Sequence, residues 1–319
     1  MNNDAEIRSR VLSVLYKQYF LSTDTYDLNC LLAEEAWDAR RFENVVDRLE
    51  DEGLIKPMMM GGLYYELDVR GIMEAEESGI APQGLKEANE KARTHMLVML
   101  AEVFDEQGSL YGVANSELYQ KTGLEHVQAT ANLLVLHDLY LAEPFANALT
   151  KITSRGLDVV DEYKERRSIA DEFERLFELN PQPRGRALQK LIARLVEKSG
   201  WGQDEGVRTS NEEMDVILFR EREYYLLESK WEKDPVEANV IRELFGKLEN
   251  RIDVRGMVVS MSGFSDGAVK QVYDYIGKRV ILLFGEQDVK YLIYQKIKFD
   301  ELLNAKYKAL ITTKKVEFC

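Results

Sequence analysis

Apolar residues recur at helical spacing through the first part of the chain. Phe42, Val45, Val46 and Leu49 form one stripe of a segment spanning 38–52, and the same period predicts helices over 6–20 and 26–36. Gly53 ends the third helix and Leu54-Ile55 enters a strand. Gly61-Gly62 then turns the chain, and Leu63-Tyr64-Tyr65-Glu66-Leu67 returns as the partner strand. Three helices followed by a hairpin is the element order of a winged helix. The order repeats after a linker at 78–84 that contains Gly, Pro and Gln. Helices are expected over 88–106, 116–121 and 125–137, with Leu139-Tyr140-Leu141 entering a second wing. The closing segments match as well. Val69-Arg70-Gly71-Ile72-Met73-Glu74 corresponds to Ser154-Arg155-Gly156-Leu157-Asp158-Val159, and each glycine is expected at the turn from the last strand into a new helix.

A charged helix over 158–179 leaves the second copy and is expected to stop at Asn180-Pro181-Gln182-Pro183, because proline cannot continue a helix. A domain boundary is placed there. The expected domains are winged-helix domain 1 (1–80), winged-helix domain 2 with its exit helix (85–180), and an α/β domain (184–319). In the last, a helix over 186–198 carries Leu188, Leu191, Ile192 and Leu195 on one face. Strands are expected at 214–219, 224–230, 256–260 and 279–284, and helices at 236–249, 266–276 and 287–293. Strands this continuously apolar imply a sheet covered on both faces. The fold class is therefore a multidomain mixture of α+β and α/β.

Charge divides the chain. Of its 319 residues, 1–150 hold 26 acids against 12 bases, a balance of −14, while the remainder holds 30 of each. An acidic half repels a phosphate backbone, so nucleic acid is expected at the C-terminal half. No run of 18 apolar residues occurs, and 1–10 lack the apolar core of a secretory signal. Cys30 and Cys319, far apart in sequence, fit a reducing cytoplasm.

The chemistry is concentrated in Met214-Asp215-Val216-Ile217-Leu218-Phe219 and Tyr224-Tyr225-Leu226-Leu227-Glu228-Ser229-Lys230, separated by the charged loop Arg220–Glu223. If Phe219 pairs with Tyr224 across an antiparallel hairpin, Asp215 falls opposite Glu228. Cβ atoms of such pairs lie about 4.5–5.5 Å apart. Glu228 and Lys230 then share a sheet face, separated by about 7 Å along the strand. Opposed carboxylates repel each other unless a hard cation such as Mg²⁺ or Mn²⁺ lies between them. Lys230 would add positive charge where negative charge develops on a phosphate.

Together with the helix Arg184-Gly185-Arg186-Ala187-Leu188-Gln189-Lys190-Leu191, these residues resemble the PD-(D/E)xK restriction-endonuclease-like superfamily, nearest its Mrr-like branch. Ile241-Arg242-Glu243-Leu244, Val258-Val259-Ser260, Gly263-Phe264-Ser265 and the apolar stretch 280–284 extend the resemblance over 184–293. It implies a sheet flanked by helices and Mg²⁺-dependent cleavage of DNA phosphodiesters in restriction or defence. It also implies metal ligation by Asp215, Glu228 and the Ser229 carbonyl, with Lys230 assisting the nucleophile. Many members carry a Glu on the first helix where this chain has Gln189. Glu212 or Glu213 could replace that ligand, and Glu213 faces Lys230 in the same register. A non-catalytic DNA-binding or scaffolding module and a winged-helix regulator are the rival readings.

Other signals are weaker. Arg40, Arg41 and Arg48 on the first copy's third helix are candidates for DNA contact. The second copy offers Glu125, His126, Gln128, Thr130 and Asn132, with no cation. Self-association of the N-terminal half is expected instead, through Met58-Met59-Met60 beside Tyr64 and Tyr65. His95, His126 and His137 read as structural or surface residues. Lys306, Lys308, Lys314 and Lys315 read as a solvated basic tail.

Overall fold

The computed structural model describes residues 4–58, 63–145, 148–205, 216–294 and 297–313. The chain divides into two compact units, residues 1–163 and 164–319.

In the first unit the order is α1 (Asp4–Leu21), β1 (Tyr26–Asp27), α2 (Leu28–Glu35), α3 (Ala39–Asp51), β2 (Ile55–Pro57), β3 (Tyr64–Leu67) and α4 (Val69–Glu77). Asp27, Asp38 and Asp68 cap α2, α3 and α4 by accepting from the Asn29, Arg41 and Arg70 amides. The stripe Phe42, Val45, Val46 and Leu49 is buried, as its spacing predicts. The order then recurs as α5 (Gln83–Gln107), β4 (Val113–Ala114), α6 (Asn115–Thr122), α7 (His126–Asp138), β5 (Ala142–Phe145), β6 (Leu149–Ile152) and α8 (Ser154–Leu176), whose residues from Lys164 on belong to the second unit. The two sheets have matching orders, β1-β3-β2 and β4-β6-β5. Strands β1 and β4 were not expected, because two residues cannot display an alternation.

The copies match down to individual hydrogen bonds. Leu54 N donates to Leu49 O and Leu141 N donates to Leu136 O, each at 2.9 Å. The two glycines are equivalent, but they are helical residues in the first turns of α4 and α8, not residues of a preceding turn. Close approach is what requires them. A Cβ on Gly71 would lie 2.0 Å from Leu54 O, and one on Gly156 would lie 2.0 Å from Leu141 O.

A buried polar network joins the copies. Arg93 on α5 donates to both Glu76 oxygens at 2.6 and 2.8 Å, and Tyr16 donates to Glu76 Oε1 at 2.6 Å. Asn89 donates to the Tyr16 hydroxyl at 3.1 Å and accepts from Gln128 and Asn132 at 2.8 and 2.9 Å. Burial and the hydrogen bond to the Glu76 carboxylate push the Tyr16 phenol well above its ordinary pKa. Ala131 and Val135 of α7 belong to the first copy's hydrophobic core. Gln128 and Asn132 are therefore interior residues of this seam.

The second unit contains α9 (Pro181–Lys198), β7 (Gly202–Glu205), β8 (Val216–Arg220), β9 (Glu223–Lys230), α10 (Ala238–Glu249), β10 (Val254–Ser260), α11 (Asp266–Tyr275), β11 (Ile281–Phe284), α12 (Glu286–Ile293) and α13 (Phe299–Thr313). Helix α9 starts at Pro181, earlier than expected. Proline is excluded from a helix interior but fits the first turn, where its missing N–H has no intrahelical partner. The five-stranded sheet has the order β11-β10-β9-β8-β7. Strands β9, β10 and β11 are parallel, and β8 and β7 add antiparallel. The edge strand β7, Gly-Gln-Asp-Glu, carries no apolar alternation and was not expected.

The two sheet faces are covered by different helices. Leu244 and Leu248 of α10 crowd Gly256, which lies on the same face as Glu228. On the other face, Trp201 meets Tyr225 and Phe299, and Arg255 stacks over Tyr307 of α13. Helix α13 corrects the reading of a solvated basic tail. Lys306 is buried there, pairs with Asp288 at 2.8 Å and lies over the Phe284 ring. Lys308 lies on the same helix, while Lys314 and Lys315 fall outside the described residues. No helix among the described residues is long and apolar enough to cross a membrane.

Two outcomes are expected in urea unfolding of the full chain. Gly71→Ala and Gly156→Ala should each destabilise by about 1–3 kcal/mol through overpacking, whereas Gly84→Ala, with nothing near its Cβ, should be neutral or slightly stabilising. Arg93→Met leaves Glu76 buried and unpaired, and should cost about 3–5 kcal/mol. A Glu76→Gln, Arg93→Met double variant should recover part of that loss. A double variant as unstable as Arg93→Met alone would refute the ionic account of the seam.

Candidate functional site

The hairpin β8–β9 closes through a two-residue turn, Glu221-Arg222, because Arg220 pairs directly with Glu223. Phe219 pairs with Tyr224, as read from the sequence, and the register runs back to Val216 opposite Leu227. A two-residue turn fixes register, since it allows no slack between the strands. The expected pairing of Asp215 with Glu228 lies outside the described residues, as do Glu212 and Glu213.

Glu228 and Lys230 lie near the carboxyl end of β9, two residues apart and so on one face of the sheet. Lys230 Nζ lies 3.1 Å from Glu228 Oε1. The other carboxylate oxygen is also engaged, because Lys247 Nζ lies 3.1 Å from Glu228 Oε2. The Glu228 side chain is 15% exposed, Lys230 32% and Lys247 22%. One carboxylate thus carries a cation on each oxygen while the cluster stays open to solvent.

Lys247 was not singled out from the sequence. It occupies the last turn of α10, beside the buried stripe Ile241, Leu244, Phe245 and Leu248. Its one signal was position, three residues after Leu244 at the edge of the face that packs on the sheet. The macrodipole favours a cation there.

The end of the sheet that bears this cluster is built by two loops. Val236 N donates to Gly263 O, and Ser265 N donates to Val236 O, each at 3.0 Å, joining the segments that follow β9 and β10. Gly263 takes the left-handed conformation this requires, with φ 78°. Ser260, opposite Lys230 on β10, is buried, and its hydroxyl donates to Gly263 O at 2.8 Å. Ligands of open α/β sheets bind beyond the carboxyl ends of parallel strands, which is where Glu228, Lys230 and this loop pair converge. Arg184, at the start of α9, stacks over Trp231, the residue after Lys230, at 4.8 Å. Gln189 is half-buried on α9, which packs along β7, β8 and β9.

The remaining sequence candidates lie in the first unit. Arg41 and Arg48 both pair with Asp4 of α1, at 2.5 and 2.6 Å. Arg40 is exposed and forms no ion pair among the described residues. Tyr65 is buried, with its hydroxyl on Glu50, so it offers no open patch. Met58 is exposed, and Met59 and Met60 fall outside the described residues.

Among the described residues no three His, Cys, Asp or Glu side chains converge on one point. The donors present are the Glu228 carboxylate and the Ser229 backbone. Carboxylate and carbonyl oxygens suit a hard divalent cation, provided that an ammonium yields its place on Glu228.

Comparison with known proteins bears on the second unit. Residues 182–292 match the model of a family described as a restriction endonuclease. The second unit is thus restriction-endonuclease-like over that span. Similar solved structures include a protein of unknown function, AF1548, at 22% identity over 37% of this chain and 65% of that one, with a TM-score of 0.26. The MspJI restriction endonuclease, in complex with a 27-mer oligonucleotide, matches at 15% identity over 62% of this chain and 46% of that one, with a TM-score of 0.30. Protein VC1899 from Vibrio cholerae matches at 13% identity over 92% of this chain and 80% of that one, with a TM-score of 0.29. The match thus spans less than two thirds of the first two structures. No curated protein matches the chain.

Proposed function

We propose that the restriction-endonuclease-like unit hydrolyses DNA phosphodiester bonds with a bound Mg²⁺ or Mn²⁺. The observation that carries this reading is the Glu228–Lys230 pair at 3.1 Å on one strand end, beside a hairpin in the register that the motif needs. Asp215 immediately precedes the first described pair of that hairpin, Val216 with Leu227. The proposed metal ligands are Asp215, Glu228 and the Ser229 carbonyl, with Glu213 and Gln189 as accessory positions. A bound divalent cation would supply a Lewis acid for the phosphate and acidify the attacking water. Lys230 holds a fixed positive charge beside the phosphate as negative charge grows on its oxygens, and that preorganised charge favours the transition state. Glu228 in turn holds the Lys230 ammonium in place.

The N-terminal unit is read as a tandem of winged helices that associates with a second copy of the chain. This is supported by the duplicated element order and by the acidity of residues 1–150. The third helix of the second copy is sealed in the seam through Ala131 and Val135. Arg40 and Arg41 remain the DNA-facing candidates of the first copy. The wider reading is a cytoplasmic restriction or defence nuclease.

A second reading has one observation in its favour. Both Glu228 oxygens are occupied by lysines and the first helix carries Gln189, features suited to a DNA-binding module that cleaves weakly or not at all.

The two readings separate in a plasmid-cleavage assay with Mg²⁺ and with Mn²⁺. Wild type should nick or linearise DNA. Asp215→Ala, Glu228→Ala and Lys230→Ala should each lower the rate by about 10²-fold or more, with melting curves that report an intact fold. Undiminished cleavage by purified Lys230→Ala would sink the assignment, and wild-type DNA binding without cleavage would favour the second reading.

A further inference from the structure

We propose that the first unit holds a small organic ammonium ion in a cavity between its two copies. The cavity encloses about 560 Å³, within the range of small-molecule sites. It lies wholly inside that unit, so its occupancy is independent of any chemistry at Glu228.

Both copies build the wall. From the first come Tyr19 on α1, Tyr26 on β1, and Lys56 and Glu66 on β2 and β3. From the second, α7 supplies Val127, Ala131, Leu134 and Asp138, which recur at helical spacing along one side. Gln128 and Asn132, each one residue further along, belong instead to the buried network. Two faces of α7 therefore do different things, one closing the seam and one lining a space.

The aromatic and aliphatic walls give room for an organic body, and the charges select its sign. Lys56 is the one lysine or arginine on the wall among the described residues, and it is spent on Glu66 at 2.8 Å. Asp24 and Asp138 form no ion pair among the described residues. Two uncompensated carboxylates repel an anion and draw a cation. Burial, and then the Asp138 and Glu66 carboxylates, push the Tyr19 phenol well above its ordinary pKa. The phenol is thus neutral, and its ring face attracts a cation as the carboxylates do. A metal ion needs oxygens that converge on one point, and among the described residues no such group of three exists. Carboxylates spread around an aromatic wall fit a cation with an organic body.

Three probes of one shape and different charge test this in calorimetric titrations of the full chain: phenethylammonium, phenethyl alcohol and phenylacetate. The ammonium ion should bind about tenfold more tightly than the alcohol, and phenylacetate should not bind. Asp24→Asn and Asp138→Asn should each reduce that preference, and the double variant should abolish it. Glu117→Gln, exposed and outside the cavity, should leave it unchanged. If one aspartate variant does not fold, the other carries the comparison. Equal affinity for the ammonium ion and the alcohol would overturn the proposal, as would a preference that survives loss of both carboxylates. Failure of all three probes to bind would overturn it too, including where light scattering shows a second copy of the chain covering the cavity.

Discussion

A carboxylate inside an apolar layer stays ionised only when a cation is brought to it, because the protein interior cannot replace the water it has lost. Among the described residues three carboxylates illustrate how it is met. Glu76 is matched by Arg93 and Asp288 by Lys306, and both pairs are almost wholly enclosed. Their remaining hydrogen-bonding capacity is also used. Glu76 accepts from Tyr16, and Asp288 accepts from the Gly285 amide at the start of α12. Such pairs are locks, since removing either partner strands the other. Glu228 meets the same constraint differently. It has two lysines in place of one cation, and all three side chains remain partly exposed. An excess of partners and a path to solvent set Glu228 apart from the two enclosed pairs.

The duplication in the first unit shows how a lock of this kind redirects a surface. In a winged helix the third helix carries the residues that face a nucleic acid, and on the proposed reading α3 and α7 hold that place. In the second copy that helix is turned into the seam, where Gln128 and Asn132 complete the Glu76–Arg93 network and Ala131 and Val135 join the neighbouring core. In the first copy Arg41 and Arg48 are tied to Asp4. The polar character of α7, which reads from sequence as a poor DNA-binding helix, has a cause within the unit. Its amides bond Asn89 and, through Asn132, Arg93 of the buried network.

Much of this was legible in the chain. The apolar stripe of α3, the duplicated closing segments and the β8–β9 register could be read because each depends on neighbours in sequence. What escaped depends on distance or on context. Strands β1 and β4 exist through pairing with β3 and β6, and their two residues carry no pattern of their own. Proline reads as a stop, although at Pro181 it begins α9. The segment after residue 297 reads as a charged tail because its lysines dominate, yet Phe299, Leu302, Leu303 and Leu310 are buried, and Lys306 goes inward to reach Asp288. At the site, Glu228 and Lys230 were visible as a motif on one strand. Lys247 was not, since nothing local ties a residue of α10 to a carboxylate 19 positions earlier.

The turn of the β8–β9 hairpin bears on why the site keeps its shape. Glu221 adopts a left-handed conformation, φ 53°, which costs a residue with a Cβ about 1–2 kcal/mol relative to the right-handed region. A longer loop would relieve that strain, but it would also leave the pairing of β8 with β9 free to shift. A shift of one residue reverses the faces of a strand. Val216 and Leu218, both fully buried, would then exchange places with Ile217 and Phe219, which are only partly covered. Refitting the core to the exchanged side chains would cost about 1–3 kcal/mol, which offsets the strain at Glu221. The tight turn is thus held by the core beneath the hairpin, and it holds the register in which the motif of Asp215, Glu228 and Lys230 has to be read.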